Sequence, residues 1–142
     1  MRRLIVISGH VSSGKSTLAQ GLSESFGFEV RRTKDWLRRR AGSEAATDRK
    51  ELQLYGDRFD SETGGRWIVG ELTTDLPGLI KDTVIIDSAR IKEQVDSLRE
   101  AFGPIVTHIH LTASRGELER RFDERRGRDS REFLRMRRSG KT

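Results

Sequence analysis

Nine consecutive residues carry the most pointed chemistry in this sequence: Gly9, His10, Val11, Ser12, Ser13, Gly14, Lys15, Ser16 and Thr17. Gly9 and Gly14, followed at once by Lys15 and Ser16, meet the spacing Gly-x-x-x-x-Gly-Lys-Ser/Thr. The chemistry needs each part. Glycines let the backbone wrap closely around a pyrophosphate, and successive N–H groups then point inward as an anion nest. A helix opening at that point adds the positive end of its dipole. Lys15 supplies a charge to the β- and γ-phosphates, and the Ser16 hydroxyl is a ligand for Mg²⁺. All nine residues are therefore expected to hold a nucleoside triphosphate, ATP being the expected one, with Lys15 also acting in catalysis.

A second group lies near residue 87. Asp87 closes the apolar run Val84-Ile85-Ile86. A carboxylate at the carboxyl end of a buried parallel strand sits where ligands bind, and it can hold Mg²⁺ through water. The bland alternative is an aspartate capping the next helix. Arg90, three residues on, is a candidate for an acceptor phosphate; its alternative is a surface arginine at a helix start. Arg121 and Arg125 share a helix face, roughly with Arg128. They are read as groups that close over the triphosphate, against the plainer reading of a solvated basic helix. Gly116 and Gly127 flank that helix as candidate hinges. His108 and His110 fall on one side of a strand. Without a third ligand they read as packed or hydrogen-bonded histidines rather than a metal pair. Trp36 and Trp67 read as packing groups rather than base-stacking ones.

These groups need a frame. Leu4 to Ser8 is a short continuous apolar run before a glycine, which suits a strand buried on both faces of a parallel sheet. Leu18, Leu22 and Phe26, four apart, give the following helix one apolar stripe, and Gly27 is placed to end it. Phe28 to Val30 is a short second strand, and Thr33 to Arg40 a short basic helix. Ala41 to Thr47 reads as a loop. Asp48 and Glu51 have capping-box spacing and open a helix towards Phe59. Gly64-Gly65 ends that pattern. Trp67, Ile68 and Leu72 belong to a further helix, and Pro77-Gly78 is a turn. Thr83 to Asp87 and Ile105 to Leu111 are buried strands. Between them runs a helix with Ile91, Val95, Leu98 and Phe102, ended by Gly103-Pro104. Ser114 and Glu117 form a second capping box. Strands alternating with helices imply an α/β domain, a three-layer αβα sandwich with a mainly parallel sheet.

The chain has 142 residues, which predicts one domain over residues 1–130 with a helical lid at about 114–128, and a polar basic tail over 131–142. The formal net charge is +6. Most of the cations are arginine, whose fork suits phosphate oxygens. With no cysteine, disulfides and thiolate metal sites are excluded. The start Met1-Arg2-Arg3 followed by a short apolar run lacks the length and cleavage site of a signal peptide. A soluble, cytoplasmic protein is the expectation, with no membrane partner.

The stretch from Val84 to Arg90, with Glu93, Val95 and Leu98 to Gly103, resembles the Asp-Gly-x-Arg strand and helix of small P-loop nucleotide kinases. The likeness is nearest to the deoxynucleoside-monophosphate kinase and dephospho-coenzyme-A kinase group. Ile109 to Ser114, then Arg121-Phe122-Asp123-Glu124-Arg125, resemble that group's strand, turn and Arg-x-x-x-Arg lid helix. Ser88 stands where a glycine is common. The family continues to a fifth strand and an adenine-binding loop, and residues 131–142 hold no apolar strand, so a sheet lacking the last strand is expected. The resemblance implies acceptor-binding residues at Thr33, Asp35 and Arg38, beside Arg90. It implies Asp35 as general base if the acceptor is a hydroxyl. For a phosphate acceptor, positioning and charge neutralisation suffice. The function implied is transfer of the ATP γ-phosphate to a small acceptor, foremost a nucleoside monophosphate, with Mg²⁺. Two alternatives stand beside it. One is a regulatory ATP-binding domain working with another domain or subunit; the other is a polynucleotide-end kinase. Nucleic acid is not the expected partner, since no stacking pattern accompanies the charge.

Overall fold

A computed structural model describes residues 1–10, 13–42, 48–112 and 115–126. The order of elements is β1 (Arg3–Gly9), α1 (Lys15–Phe26), β2 (Glu29–Arg32), α2 (Thr33–Ala41), α3 (Arg49–Thr63), α4 (Trp67–Asp75), β3 (Thr83–Ala89), α5 (Lys92–Phe102), β4 (Val106–Leu111) and α6 (Arg115–Arg126). Among the described residues the sheet has four strands, ordered β2-β3-β1-β4 and parallel throughout. This is the parallel α/β sandwich expected from the strand–helix alternation.

The central strands β1 and β3 are apolar on both faces because helices cover both. Leu4, Val6, Val84 and Ile86 point to one side. There they pack with Trp36, Leu37, Leu52, Phe59, Trp67, Ile68, Leu72, Val95 and Leu98 of helices α2 to α5. Ile5, Ile7 and Ile85 point to the other side, against Ala19, Leu18 and Leu22 of α1. Alternation of successive side chains thus divides one apolar run between two cores. The α1 stripe holds for Leu18 and Leu22 but not for its last member. Phe26 is 66 % exposed and stacks on Phe28, with ring centroids 5.3 Å apart.

Local signals end the helices where the chain chemistry asks. Asp48 caps α3 by accepting from the Glu51 N–H at 2.8 Å. Gly27 and Gly64 close α1 and α3 in the left-handed conformation, with φ 70° and 61°. No helix among the described residues is long and apolar enough to cross a membrane.

An ionic cluster fixes β2, α2 and α4 to one another. Asp75 accepts from the Trp36 indole at 2.8 Å and from Arg39 at 2.7 Å, and pairs with Arg31 at 3.2 Å. Glu29 accepts from the Ile80 and Lys81 N–H groups at 2.9 and 3.0 Å. Burial alone would raise the Asp75 pKa, but Arg39, Trp36 and Arg31 together hold it below the usual carboxylate range. The stability from this depressed pKa is present above the unfolded value, about 4, and is lost as pH falls through the folded one. Asp75→Asn is therefore expected to cost about 1–3 kcal/mol at pH 7. The gap from the unaltered protein should narrow in urea melts as the pH is lowered through the folded-state titration of Asp75, which lies below the usual carboxylate range. A gap that stays constant down to the acid limit of the folded state would rule out the ionic contribution.

Candidate functional site

The carboxyl ends of β1 and β3 bring the phosphate loop and Asp87 together. Gly9 ends β1 with φ 151°, and a Cβ there would stand 2.6 Å from the Leu111 carbonyl oxygen and 2.7 Å from Ser13 Oγ. Only a residue without a side chain lets the loop leave the strand at this point. The Ser13 N–H bonds back to the His10 carbonyl at 3.1 Å, and Gly14 turns into α1 with φ 100°. Lys15 is the first residue of the helix. Its ammonium reaches back over the loop, donating to the carbonyls of Gly9 at 2.7 Å and His10 at 2.9 Å. The charge therefore sits against the carbonyls at and just past the end of β1, at the amino end of α1, where an anion would be drawn. Ser16 and Thr17 occupy the first turn. Val11 and Ser12 lie outside the described residues.

Asp87 pairs in register with Ile7 of β1 and Arg32 of β2, and is 7 % exposed. Ser16 Oγ donates to Asp87 Oδ2 at 3.0 Å. A serine from the loop and a carboxylate 71 positions away thus meet through a direct hydrogen bond. Both are hard oxygen donors, one at the start of α1 and one near the end of β3, the donor type that Mg²⁺ takes.

Of the acceptor-side residues, Thr33 lies against the same strand end. Its Oγ1 donates to the Ser88 carbonyl at 2.9 Å and accepts from the Ser88 N–H at 3.3 Å. Asp35 and Arg38 pair with each other on α2 at 3.4 Å, with side chains 62 % and 42 % exposed. Arg90 follows the last residue of β3 and turns towards α3. Its Nη2 donates to Asp57 at 2.9 Å and to Asp60 at 3.3 Å. Asp60 also accepts from the Trp67 indole at 2.7 Å and from Gln94 at 2.8 Å, while Gln94 accepts from the Arg90 N–H at 2.7 Å. Gly56 leaves room for the guanidinium, since a Cβ there would meet Arg90 Nη2 at 3.0 Å. Both tryptophans are buried, each with its indole N–H on a carboxylate.

Arg121 and Arg125 fall on α6, and what their side chains touch lies outside the described structure; Arg128 falls outside the described residues. His108 and His110 converge on one hydroxyl. Ser8 Oγ lies 2.6 Å from His108 Nε2 and 2.7 Å from His110 Nδ1, which ties β4 to the strand that carries the loop. Burial, then Arg99 and His110, lowers the His108 pKa and keeps it neutral at neutral pH. Among the described residues no group of three or more His, Cys, Asp or Glu is arranged to hold a metal.

Three residues here carried no signal along the chain. Asp57 and Asp60 are spaced as one face of a helix, which ordinarily marks a solvated face. Ser8 reads as the end of an apolar strand. Arg90 and Gln94 lie about 30 positions from the two aspartates, and the two histidines about 100 from Ser8, and no local pattern encodes those distances.

The chain matches the AAA-domain family over residues 5–140. None of the curated proteins matches it in sequence. Among solved structures it is similar to TT1252 from Thermus thermophilus, with a TM-score of 0.60 and 22 % identity, covering 96 % of this chain and 79 % of that one. It is also similar to a gluconokinase from Sinorhizobium meliloti 1021, with a TM-score of 0.52 and 19 % identity. That match covers 89 % of this chain but 66 % of the gluconokinase, so the chain spans about two thirds of that protein's length. An uncharacterized protein from Eubacterium ventriosum matches with a TM-score of 0.51 and 17 % identity, covering 94 % of this chain and 68 % of that one. At these identities the likenesses establish a shared fold.

Proposed function

The chain belongs to the AAA-domain family, and from that premise we propose that it is an ATP-dependent phosphotransferase moving the γ-phosphate to a small acceptor. The observation that carries this reading is the 3.0 Å bond between Ser16 of the loop and Asp87 of β3. It joins the phosphate cradle to a buried carboxylate at the strand end, the pairing that positions a triphosphate for transfer. The loop N–H groups and Lys15 bind the β- and γ-phosphates. Ser16 and, through water, Asp87 are the residues that would hold Mg²⁺; when bound, it neutralises charge on the phosphates.

In the reaction an acceptor oxygen forms a bond to the γ-phosphorus as the bond from that phosphorus to the β–γ bridging oxygen breaks. ADP leaves, and the acceptor's proton passes to a base or to water. Lys15 and the lid arginines Arg121, Arg125 and Arg128 stabilise the charge spread over the transferring group. Thr33, Asp35, Arg38 and Arg90 make up the acceptor side, with Asp35 as base for a hydroxyl acceptor.

A nucleoside monophosphate is the acceptor implied by the sequence resemblance, and it depends on Arg90 meeting a phosphate. A hydroxyl compound is the second reading, and the two carboxylates on Arg90 favour it. The test is ADP release by the purified chain with ATP and Mg²⁺, without acceptor and then with monophosphates, nucleosides, sugars and polyols. Stimulation by one acceptor class is expected. ATP binding that no acceptor converts into ADP release would overturn the transferase reading in favour of a regulatory ATP-binding domain.

A further inference from the structure

The residue that opens α2 turns its side chain to another strand. Thr33 stands at the first helical position, directly after Arg32, which ends β2 and makes no side-chain cap. A threonine at a helix start ordinarily gives its hydroxyl to backbone groups within a few residues. Thr33 instead bonds 55 positions along the chain. Its Oγ1 donates to the Ser88 carbonyl at 2.9 Å and accepts from the Ser88 N–H at 3.3 Å. Thr33 is buried.

The place of Ser88 explains why both bonds go to one residue. β2 runs in register with β3 from Glu29↔Val84 to Arg32↔Asp87, and there the pairing ends. β1 pairs Ile7 with Asp87 and then Ser8 with Ala89, passing over Ser88. Ser88 is therefore out of register with both neighbouring strands. Backbone N–H and C=O groups inside a fold need partners. Thr33 is next in line after Arg32, and one hydroxyl can serve both groups, since it has a proton to give and lone pairs to accept. The β2 ladder is continued by one residue through a side chain.

These bonds matter because of the residue before Ser88. Asp87 is buried and accepts from Ser16 Oγ at 3.0 Å. The direction of its side chain is set by the peptide planes on either side of its α-carbon. Pairing with β1 and β2 holds the strand up to Asp87. The plane after it includes the Ser88 nitrogen, because a peptide unit is rigid and flat. Thr33 holds that nitrogen through its N–H, and holds the next plane through the Ser88 carbonyl. A hydroxyl of α2 is thus coupled through one peptide unit to the carboxylate that meets Ser16.

We propose that Thr33 is a positioning residue for Asp87 and, through Asp87, for the binding of Mg²⁺ with the nucleotide. The sequence resemblance groups Thr33 with the acceptor; its hydrogen bonds give it a role in the donor half. The inference rests on the reading in which Ser16 and Asp87 hold Mg²⁺, and it adds the residue that orients the second of them. Partners that orient a metal-binding group are worth about 10–100-fold in metal affinity.

The test uses two substitutions and the affinity of a fluorescent ATP analogue measured with and without Mg²⁺. The ratio of the two affinities is the gain due to Mg²⁺. Thr33→Val keeps the shape and removes the hydroxyl; Thr33→Ser keeps the hydroxyl. Thermal melts check that both variants fold. In Thr33→Val the gain should fall by about tenfold or vanish, with the Mg²⁺-free affinity unchanged because the loop N–H groups and Lys15 remain. Thr33→Ser should keep the gain. An unchanged gain in Thr33→Val overturns the proposal and leaves Thr33 to the acceptor side. A loss by the same factor with and without Mg²⁺ also overturns it, since that marks a general effect on the fold. Equal loss in Thr33→Ser and Thr33→Val rules out the hydroxyl as the cause. If the unaltered chain binds the analogue but gains nothing from Mg²⁺, the reading of Ser16 and Asp87 as the Mg²⁺-holding residues fails, and the proposal with it. If Thr33→Val does not fold, amide exchange measured by NMR on the unaltered chain decides. Slower exchange of the Ser88 N–H when Mg²⁺ joins the bound analogue supports the coupling; exchange indifferent to Mg²⁺ overturns it.

Discussion

Replacing Lys15 with alanine is expected to lower ATP turnover by about 10²–10³-fold, the scale seen when one preorganised group stabilising transition-state charge is removed. The fold should survive. Lys15 belongs to neither apolar core, and its ammonium donates to the carbonyls of Gly9 and His10 at the mouth of the loop. Those carbonyls can turn to water when the ammonium goes. The effect should therefore appear in nucleotide binding and turnover and not in the thermal melt. The measurement is ADP release at saturating acceptor, paired with a titration of a fluorescent ATP analogue. Turnover within about threefold of the unaltered chain would mean that any ATP hydrolysis observed does not occur at this loop.

Gly9→Ala is expected to have an effect of comparable size by a different route. The added methyl would lie 2.6 Å from a backbone oxygen of β4 and 2.7 Å from Ser13 Oγ. The serine can rotate, but the Leu111 carbonyl belongs to the strand paired with β1 and cannot move without disturbing Gly9↔Leu111 pairing. The backbone at Gly9 also has φ 151°, which residues with a side chain rarely adopt. Either β4 shifts away from β1 or the loop changes path, and the anion nest loses its shape in both cases. Loss of ATP-analogue binding by at least tenfold is expected, together with a lower midpoint of thermal unfolding. Overpacking of this kind costs about 1–3 kcal/mol. Unaltered binding by Gly9→Ala would show that the loop does not depend on this close approach.

The two substitutions differ in where their effects could be read. The requirement for Lys15 follows from a short contiguous pattern, because a loop between a buried strand and a helix needs only its own residues to form an anion nest. The requirement at Gly9 has a second cause, the carbonyl of Leu111, which comes from a strand about a hundred positions on. The pattern marks the glycine; only the packing of β4 on β1 explains why nothing else fits there.

The same division runs through the rest of the molecule. Helix ends were legible because caps act over three or four residues, as at Asp48, Gly27 and Gly64. The central strands β1 and β3 were legible because apolar runs without alternation admit few other readings, whereas Ile105 to Leu111, also read as buried, forms the edge strand β4 of the described sheet and holds no fully buried residue. Phe26 fitted its helical stripe yet lies exposed, since periodicity gives a face and not how far the covering layer extends.

By itself, the sequence determined the phosphate loop, the parallel α/β frame and the strand end at which Asp87 sits. All of these arise from interactions between near neighbours or from apolar pattern. Tertiary structure alone decided that Ser16 meets Asp87, that His108 and His110 share Ser8, and that Arg90 lies between Asp57 and Asp60. The physical reason is common to all three. A polar side chain can be satisfied by any suitable partner within about 3 Å. Which one it meets depends on the order in which strands and helices pack, not on its neighbours along the chain.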